Sequence, residues 1–173
     1  MSFYTKTVMV FYGWGIVHAA LAQTCQFHSF PDFTQDHRFT VANGMVTDTK
    51  TGLIWKLCSE GQAGADCSVG AAKTYRWKRA LLQAKAVNVK GFAGYRDWRL
   101  PNIKELRSIV EYQCVSPAIN TMIFANAISN IYWSSSPYAG NGYSAWTVGF
   151  NDGYDGAEAK SNGFYVRLVR SVD

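Results

Sequence analysis

The residues best suited to recognition chemistry lie in one stretch near the C-terminus. Tyr138, Tyr143 and Tyr154 stand there among glycines, with Thr147, Asn151, Asp152, Asp155 and Glu158 interspersed. Tyrosine and asparagine make large or adaptable contacts at modest ordering cost, so this set reads as a ligand-binding surface. The competing reading for any one of them is an ordinary polar loop. The carboxylates Asp152, Asp155 and Glu158 raise calcium as a second possibility, because hard cations gather oxygen ligands. Their spacing matches no EF-hand, and the Glu-Pro-Asn and Trp-Asn-Asp ligand sets of calcium-dependent sugar-binding lectins are missing. The sequence therefore predicts no metal and no cofactor.

Catalysis finds little support. His28 and His37 both fall in an N-terminal arm. No Ser-His-Asp elbow, metal-ligand cluster or phosphate loop occurs. The expectation is a protein that is not an enzyme. Basic residues are dispersed, which argues against nucleic acid as a partner.

The cysteines carry a different chemistry. The chain of 173 residues has four, Cys25, Cys58, Cys67 and Cys114. Four cysteines allow three connectivities. The pairing favoured here is Cys58–Cys67, closing a small Gly-containing loop, with Cys25–Cys114 stapling the arm to the body. A zinc site would need CxxC spacing or a neighbouring histidine, and neither is present.

Disulfides presuppose export, and the N-terminus reads accordingly. Lys6 precedes an apolar run from Val8 to Ala20, and Ala20-Leu21-Ala22 fits the small-x-small rule, so cleavage is expected after Ala22. The run is short for a retained membrane anchor, and bulky Gln23 does not suit a lipobox. Losing Lys6 lowers the net charge of +5 by one, leaving a mild basic excess that permits an anionic partner without requiring one.

The elements that must position these residues follow from local pattern. Phe39 to Asp48 reads as strand, Asn43-Gly44 turn, strand, and Leu53-Ile54-Trp55 continues as a third strand. Residues 58–72 read as loop. Trp77, Ala80, Leu81, Ala84 and Val87 share one face of a helix from about Tyr75 to Val87. Asn102 with Glu105 resembles a capping box opening a second helix, whose Ile103, Leu106, Ile109 and Val110 face the core. Ala145 to Phe150 alternates, with Trp146, Val148 and Phe150 on one face and Thr147, Gly149 and Asn151 on the other; Thr147 and Asn151 are among the residues expected to be exposed. Asn151-Asp152-Gly153 is a turn, and a last strand runs from Phe164 to Val169. Trp55, Trp98, Trp133 and Trp146 are expected in the core. An Asp97–arginine pair, drawn from Arg99, Arg167 and Arg170, is expected to tie the second helix's entry to the last strand. The sum is one α+β domain with two helices and a mostly antiparallel sheet: a leader at 1–22, an arm at 23–38 and the body at 39–173.

Six ordered segments resemble a known pattern. They are Val46-Thr47-Asp48 with Thr51-Gly52-Leu53-Ile54-Trp55; Asp97-Trp98-Arg99-Leu100-Pro101-Asn102 with Lys104-Glu105-Leu106; Pro117 with Ile119-Asn120; Tyr132-Trp133-Ser134-Ser135-Ser136; Ala145-Trp146-Thr147-Val148 with Phe150; and Tyr165-Val166-Arg167-Leu168-Val169-Arg170. Together they resemble the Lcl C-terminal domain of exported bacterial proteins. That resemblance implies a C-type-lectin-like fold and, by analogy with adhesins, attachment to a protein or glycan on a surface. Related domains serve as variable receptors of diversity-generating retroelements, and Tyr143 to Asn162 is similar to their display region. The expected location is the periplasm, the medium or the surface of a bacterium. Two other readings are a structural subunit of a surface appendage, and a relative of formylglycine-generating enzymes lacking their catalytic cysteines.

Overall fold

The computed structural model describes residues 23–26 and 34–172. The leader at 1–22 and His28 lie outside the described residues. Strands β2 (Phe39–Ala42) and β3 (Met45–Asp48) form a hairpin. Its two turn residues, Asn43 and Gly44, have φ of 51° and 72°. Two positive φ values in succession match the right-handed twist of the flanking strands, which is why Asn-Gly occupies this turn. β4 (Leu53–Lys56) pairs with β3, and β11 (Val169–Ser171) pairs with the other edge of β4, setting Val169 opposite Trp55. The sheet order is thus β11-β4-β3-β2, and the last strand closes the body against its first three.

A second sheet, ordered β10-β9-β8, comprises β8 (Ile131–Pro137), β9 (Ser144–Gly149) and β10 (Asp155–Ala159). All its pairings are antiparallel, with a register shift between Trp133 and Pro137. Strand alternation divides the core. Tyr132 and Val148 pair across β8 and β9 and join Trp55, Leu106, Ile109, Phe124 and Phe150 in one buried cluster. Trp133 and Ala145 join Ile54, Ala80, Ala84, Trp98 and Leu168 in another. Consecutive residues of one strand point to opposite faces, so each pair, Ile54/Trp55 and Tyr132/Trp133, serves both clusters.

Helix α1 (Trp77–Lys90) buries Ala80 and Ala84, with Trp77, Leu81 and Val87 packed beside them. It begins two residues later than its periodicity suggests. Tyr75 instead exchanges backbone hydrogen bonds with Phe164, at 2.8 and 3.1 Å. Helix α2 (Ile103–Arg107) is a short turn and a half opened by a complete capping box. The Asn102 side chain accepts from Glu105 N–H at 2.9 Å, and the Glu105 carboxylate accepts from Asn102 N–H at 2.8 Å.

Both expected disulfides are present, Cys25–Cys114 and Cys58–Cys67. The first joins β1 (Thr24–Cys25) to β7 (Cys114–Val115). The second closes a loop that contains β5 (Gln62–Ala63), whose partner β6 (Val69–Gly70) follows Cys67; both strands lie inside the segment expected to be loop.

Four further expectations need correction. The second helix stops at Arg107, so Ile109 and Val110 are buried but reach the core from the turn that follows it. The final strand is shorter and later than 164–169: Phe164 and Tyr165 form isolated bridges to Tyr75 and Tyr132, and regular pairing begins at Val169. Trp55, Trp98 and Trp133 are fully buried, but Trp146 is only half-buried and meets Tyr138 edge-on at 5.2 Å between ring centroids. Thr147 is 3% exposed rather than outward-facing. β9 is the central strand of its sheet and carries buried side chains on both faces, so alternation there does not separate core from solvent.

Candidate functional site: the β9–β10 hairpin

The expected binding residues occupy the hairpin of β9 and β10 and its flanks, but they divide between its two ends. At one end, Tyr143 is 71% exposed. The Asn141 side chain shapes the backbone beside it, accepting from the N–H groups of Tyr143 at 3.2 Å and Ser144 at 2.8 Å. Tyr143 C=O accepts from Lys160 N–H at 2.8 Å. Tyr138 stands on Trp146 here and is half-buried. A side chain at Gly140 would come within 2.4 Å of the Tyr138 ring, so only glycine leaves the ring in place. Glu158 is half-buried and accepts from the Asn162 amide at 3.2 Å.

At the other end, Tyr154 is 77% exposed and Asn151, Asp152 and Asp155 are exposed beside it. The turn is held tightly. Gly153, at φ 85°, donates to Gly149 C=O, and Gly149 donates to Tyr154 C=O, both at 2.8 Å. The Asp152 carboxylate accepts from Tyr154 N–H at 3.1 Å. Asn151 C=O accepts from Ser116 N–H and Phe150 C=O from Ala118 N–H, fastening the turn to the segment after β7. The six residues of β9 separate the two ends, a span of roughly 20 Å at about 3.3 Å per residue.

Thr147 lies between the ends but donates its hydroxyl to Gly156 C=O at 3.1 Å and offers nothing to a ligand. The carboxylates are also dispersed. Asp155 and Glu158 stand three residues apart on β10 and so face opposite sides of the sheet. Asp155 lies 3.6 Å from the Arg107 guanidinium. Among the described residues no group of three or more His, Cys, Asp or Glu side chains converges as metal ligands would.

Sequence reasoning missed neighbours that the fold supplies. Lys160 holds its ammonium 4.7 Å from the Trp77 ring centroid and donates to Gly142 C=O at 2.8 Å, adding a cation and an indole to the Tyr143 end. Arg107 borders the Tyr154 end, where the Tyr112 hydroxyl and then the Asp155 carboxylate hold its guanidinium above the ordinary arginine range. Both contacts join segments far apart in the chain, and no local pattern announces them.

The Asp97–arginine pair is present. Arg170 Nε donates to both Asp97 oxygens, at 2.9 and 3.0 Å, and stacks 3.8 Å from the Tyr95 ring centroid. Arg99 instead grips Glu105 with two bonds, at 2.7 and 2.8 Å. Arg167 is buried and donates to the carbonyls of Lys56 and Leu57. Its desolvation lowers its pKa, partly offset by the nearby Tyr132 hydroxyl and Glu60.

Among the described residues, two helices, the looped sheet β10-β9-β8 and the sheet β11-β4-β3-β2 that joins the last strand to the first ones define a C-type-lectin-like domain. The chain belongs to the Lcl C-terminal domain family, whose model matches residues 44–170. No curated protein matches its sequence.

Proposed function

We propose that this protein is an exported, non-enzymatic binding module that recognises a protein or glycan through the β9–β10 hairpin. The observation that carries this reading is the pair of exposed tyrosines, Tyr143 and Tyr154, set on backbone fixed by hydrogen bonds on every side. Rigid aromatic side chains presented to solvent cost little entropy to engage, and a domain this rich in core aromatics has no packing need for two more outside. The two disulfides favour an oxidising compartment, hence export. Family membership favours attachment as the role.

The test is binding of the purified, oxidised protein to an array of glycans and extracellular proteins. Tyr143→Ala and Tyr154→Ala are each expected to weaken a hit by about tenfold or more, as truncated aromatic anchors do, with an unchanged melting curve. Loss through both variants would identify a ligand large enough to span the hairpin. Loss through one would identify a compact ligand at that end. No hit, together with concentration-dependent self-association that either variant abolishes, would replace this reading with that of an appendage subunit.

A further inference from the structure

A hollow of about 260 Å³ opens where the β3–β4 turn meets α2. Four cations line it: Arg38, Lys50, Lys104 and Arg107. Its volume falls just below the roughly 300 Å³ at which pockets for drug-sized molecules begin, so it suits a compact group and not a polymer chain.

The charges are unequal in their commitments. Arg38 is 7% exposed and grips the buried Asp48 through Nε, at 2.6 Å, and Nη2, while Nη2 also donates to Ser108 C=O at 3.0 Å. Arg107 has Asp155 at 3.6 Å, both side chains reaching solvent. Lys50 and Lys104 enter no ion pair among the described residues. Glu105, beside Lys104, is committed to Arg99. The Thr51 and Ser108 hydroxyls already donate, to Asp48 at 2.6 Å and Glu105 C=O at 2.7 Å, so the cations are left to do the binding. With the two arginines set against Asp48 and Asp155, the two lysine charges are left over among the described residues.

The backbone that carries these cations is fixed in advance. Lys50 sits in a turn where its N–H donates to Asp48 Oδ1 at 3.0 Å. Lys104 and Arg107 project from a helix whose first turn is closed by the capping box.

We infer that this hollow, which adjoins the Tyr154 end of the hairpin through Arg107 and Asp155, binds a phosphate monoester. Such a group carries about −1.5 to −2 charge at neutral pH and presents three acceptor oxygens, which matches the surplus of two. A sulfate ester or a carboxylate carries a single charge and matches half of it.

The experiment titrates the full oxidised protein with methyl phosphate and with methyl sulfate at constant ionic strength, following amide chemical shifts and melting temperature. Methyl phosphate is expected to bind saturably and more tightly than methyl sulfate. Lys50→Gln and Lys104→Gln, both at exposed positions, are each expected to weaken it by about fivefold, the loss of one charge-assisted contact near solvent. Equal binding of the two esters, or unchanged affinity in the double variant, would overturn the inference. Glucose 6-phosphate in solution and vesicles of phosphatidylcholine carrying phosphatidic acid then separate the sources. Lysine-dependent binding of the sugar phosphate identifies a soluble ligand, and of the vesicles a lipid headgroup. Lysine-independent binding in both arms overturns the proposal.

Discussion

Arg170 places its guanidinium at 2% side-chain exposure while its carboxylate partner, Asp97, remains 51% exposed. That asymmetry decides what the pair contributes. The arginine has been desolvated, so its carboxylate and the face of Tyr95 offset a cost already incurred. The carboxylate has kept much of its water and could be removed with little desolvation gain. Asp97→Ala is therefore expected to lower stability by about 1–2 kcal/mol, the lower part of the range for a hydrogen bond to a charged group because solvent screens the half-exposed Asp97. For a domain of this size that is a fall in Tm of roughly 2–8 °C. Thermal melts of the two proteins at neutral pH check it. An unchanged Tm would mean that Asp97 does not tie α2's entry to β11. Asp97→Asn, which keeps an acceptor but not the charge, is expected to fall between the two.

At the scale of the element, the corner between β3 and β4 is organised around Asp48. This one buried carboxylate accepts from Arg38, from the Thr51 hydroxyl at 2.6 Å and from Lys50 N–H at 3.0 Å, so it joins the 3-10 turn Asp36–Arg38, the strand and the turn that follows. Burial pushes its carboxyl pKa up, but Arg38, Thr51 and Lys50 together outweigh burial and hold it below the ordinary aspartate value. A carboxyl depressed in the folded state contributes stability that is complete above its unfolded pKa, near 3.9, and is lost as pH falls through the folded value. Glu105 behaves alike: burial raises its pKa and Arg99 with Asn102 N–H lowers it further. The denaturant midpoint is thus expected to fall as pH drops from about 5 to about 2. Asp48→Asn should be less stable at neutral pH and lose less over that window, with Glu105 and Asp66, whose carboxyl is held down by Ser68, contributing to the slope that remains. Equal slopes would exclude Asp48 as a source of the acid sensitivity. These elements were largely legible in the sequence because their determinants are local. Asn43-Gly44 dictates its turn, Asn102 and Glu105 their cap, and the i, i+3, i+4 spacing of Ala80, Leu81 and Ala84 the buried face of α1. The binding surface was legible only as composition. Thr147 looked outward because alternation assumes a sheet with one dry face, and β9 has none. That Tyr143 and Tyr154 lie at opposite ends of β9 follows from the strand and turn legible in the sequence; what local pattern could not show is the partner strand β10, whose register sets Asp155 opposite Val148 and Glu158 opposite Ala145.

At the scale of the molecule, the two disulfides constrain the chain very differently. Cys58–Cys67 spans nine positions and Cys25–Cys114 spans 89. On the loop-entropy account the short cross-link stabilises by about 2.7 kcal/mol and the long one by about 4.6 kcal/mol. Among the described residues, the long cross-link also fastens a segment held by polar bonds. Gln23 donates to the carbonyls of Pro117 and Ile119, both at 2.7 Å, and accepts from the Thr121 hydroxyl at 2.8 Å. If those bonds hold the segment down without the sulfurs, replacing Cys25 and Cys114 by serine frees only the unfolded chain, and the full loop-entropy loss is expected. If they do not, the segment leaves the folded body as well, the native state gains entropy in return, and the loss shrinks toward that of the short bridge. The hydrogen bonds and the buried Thr34–Glu111 contact favour the first outcome. Denaturant unfolding of the two double-serine variants decides between them: the Cys25/Cys114 variant is expected to lose about 2 kcal/mol more than the Cys58/Cys67 variant. Equal losses would show a segment that undocks once its sulfur tether is cut. The β9–β10 turn would feel that release directly, since the chain from Ser116 to Ala118 that holds Asn151 and Phe150 follows Cys114 by two residues.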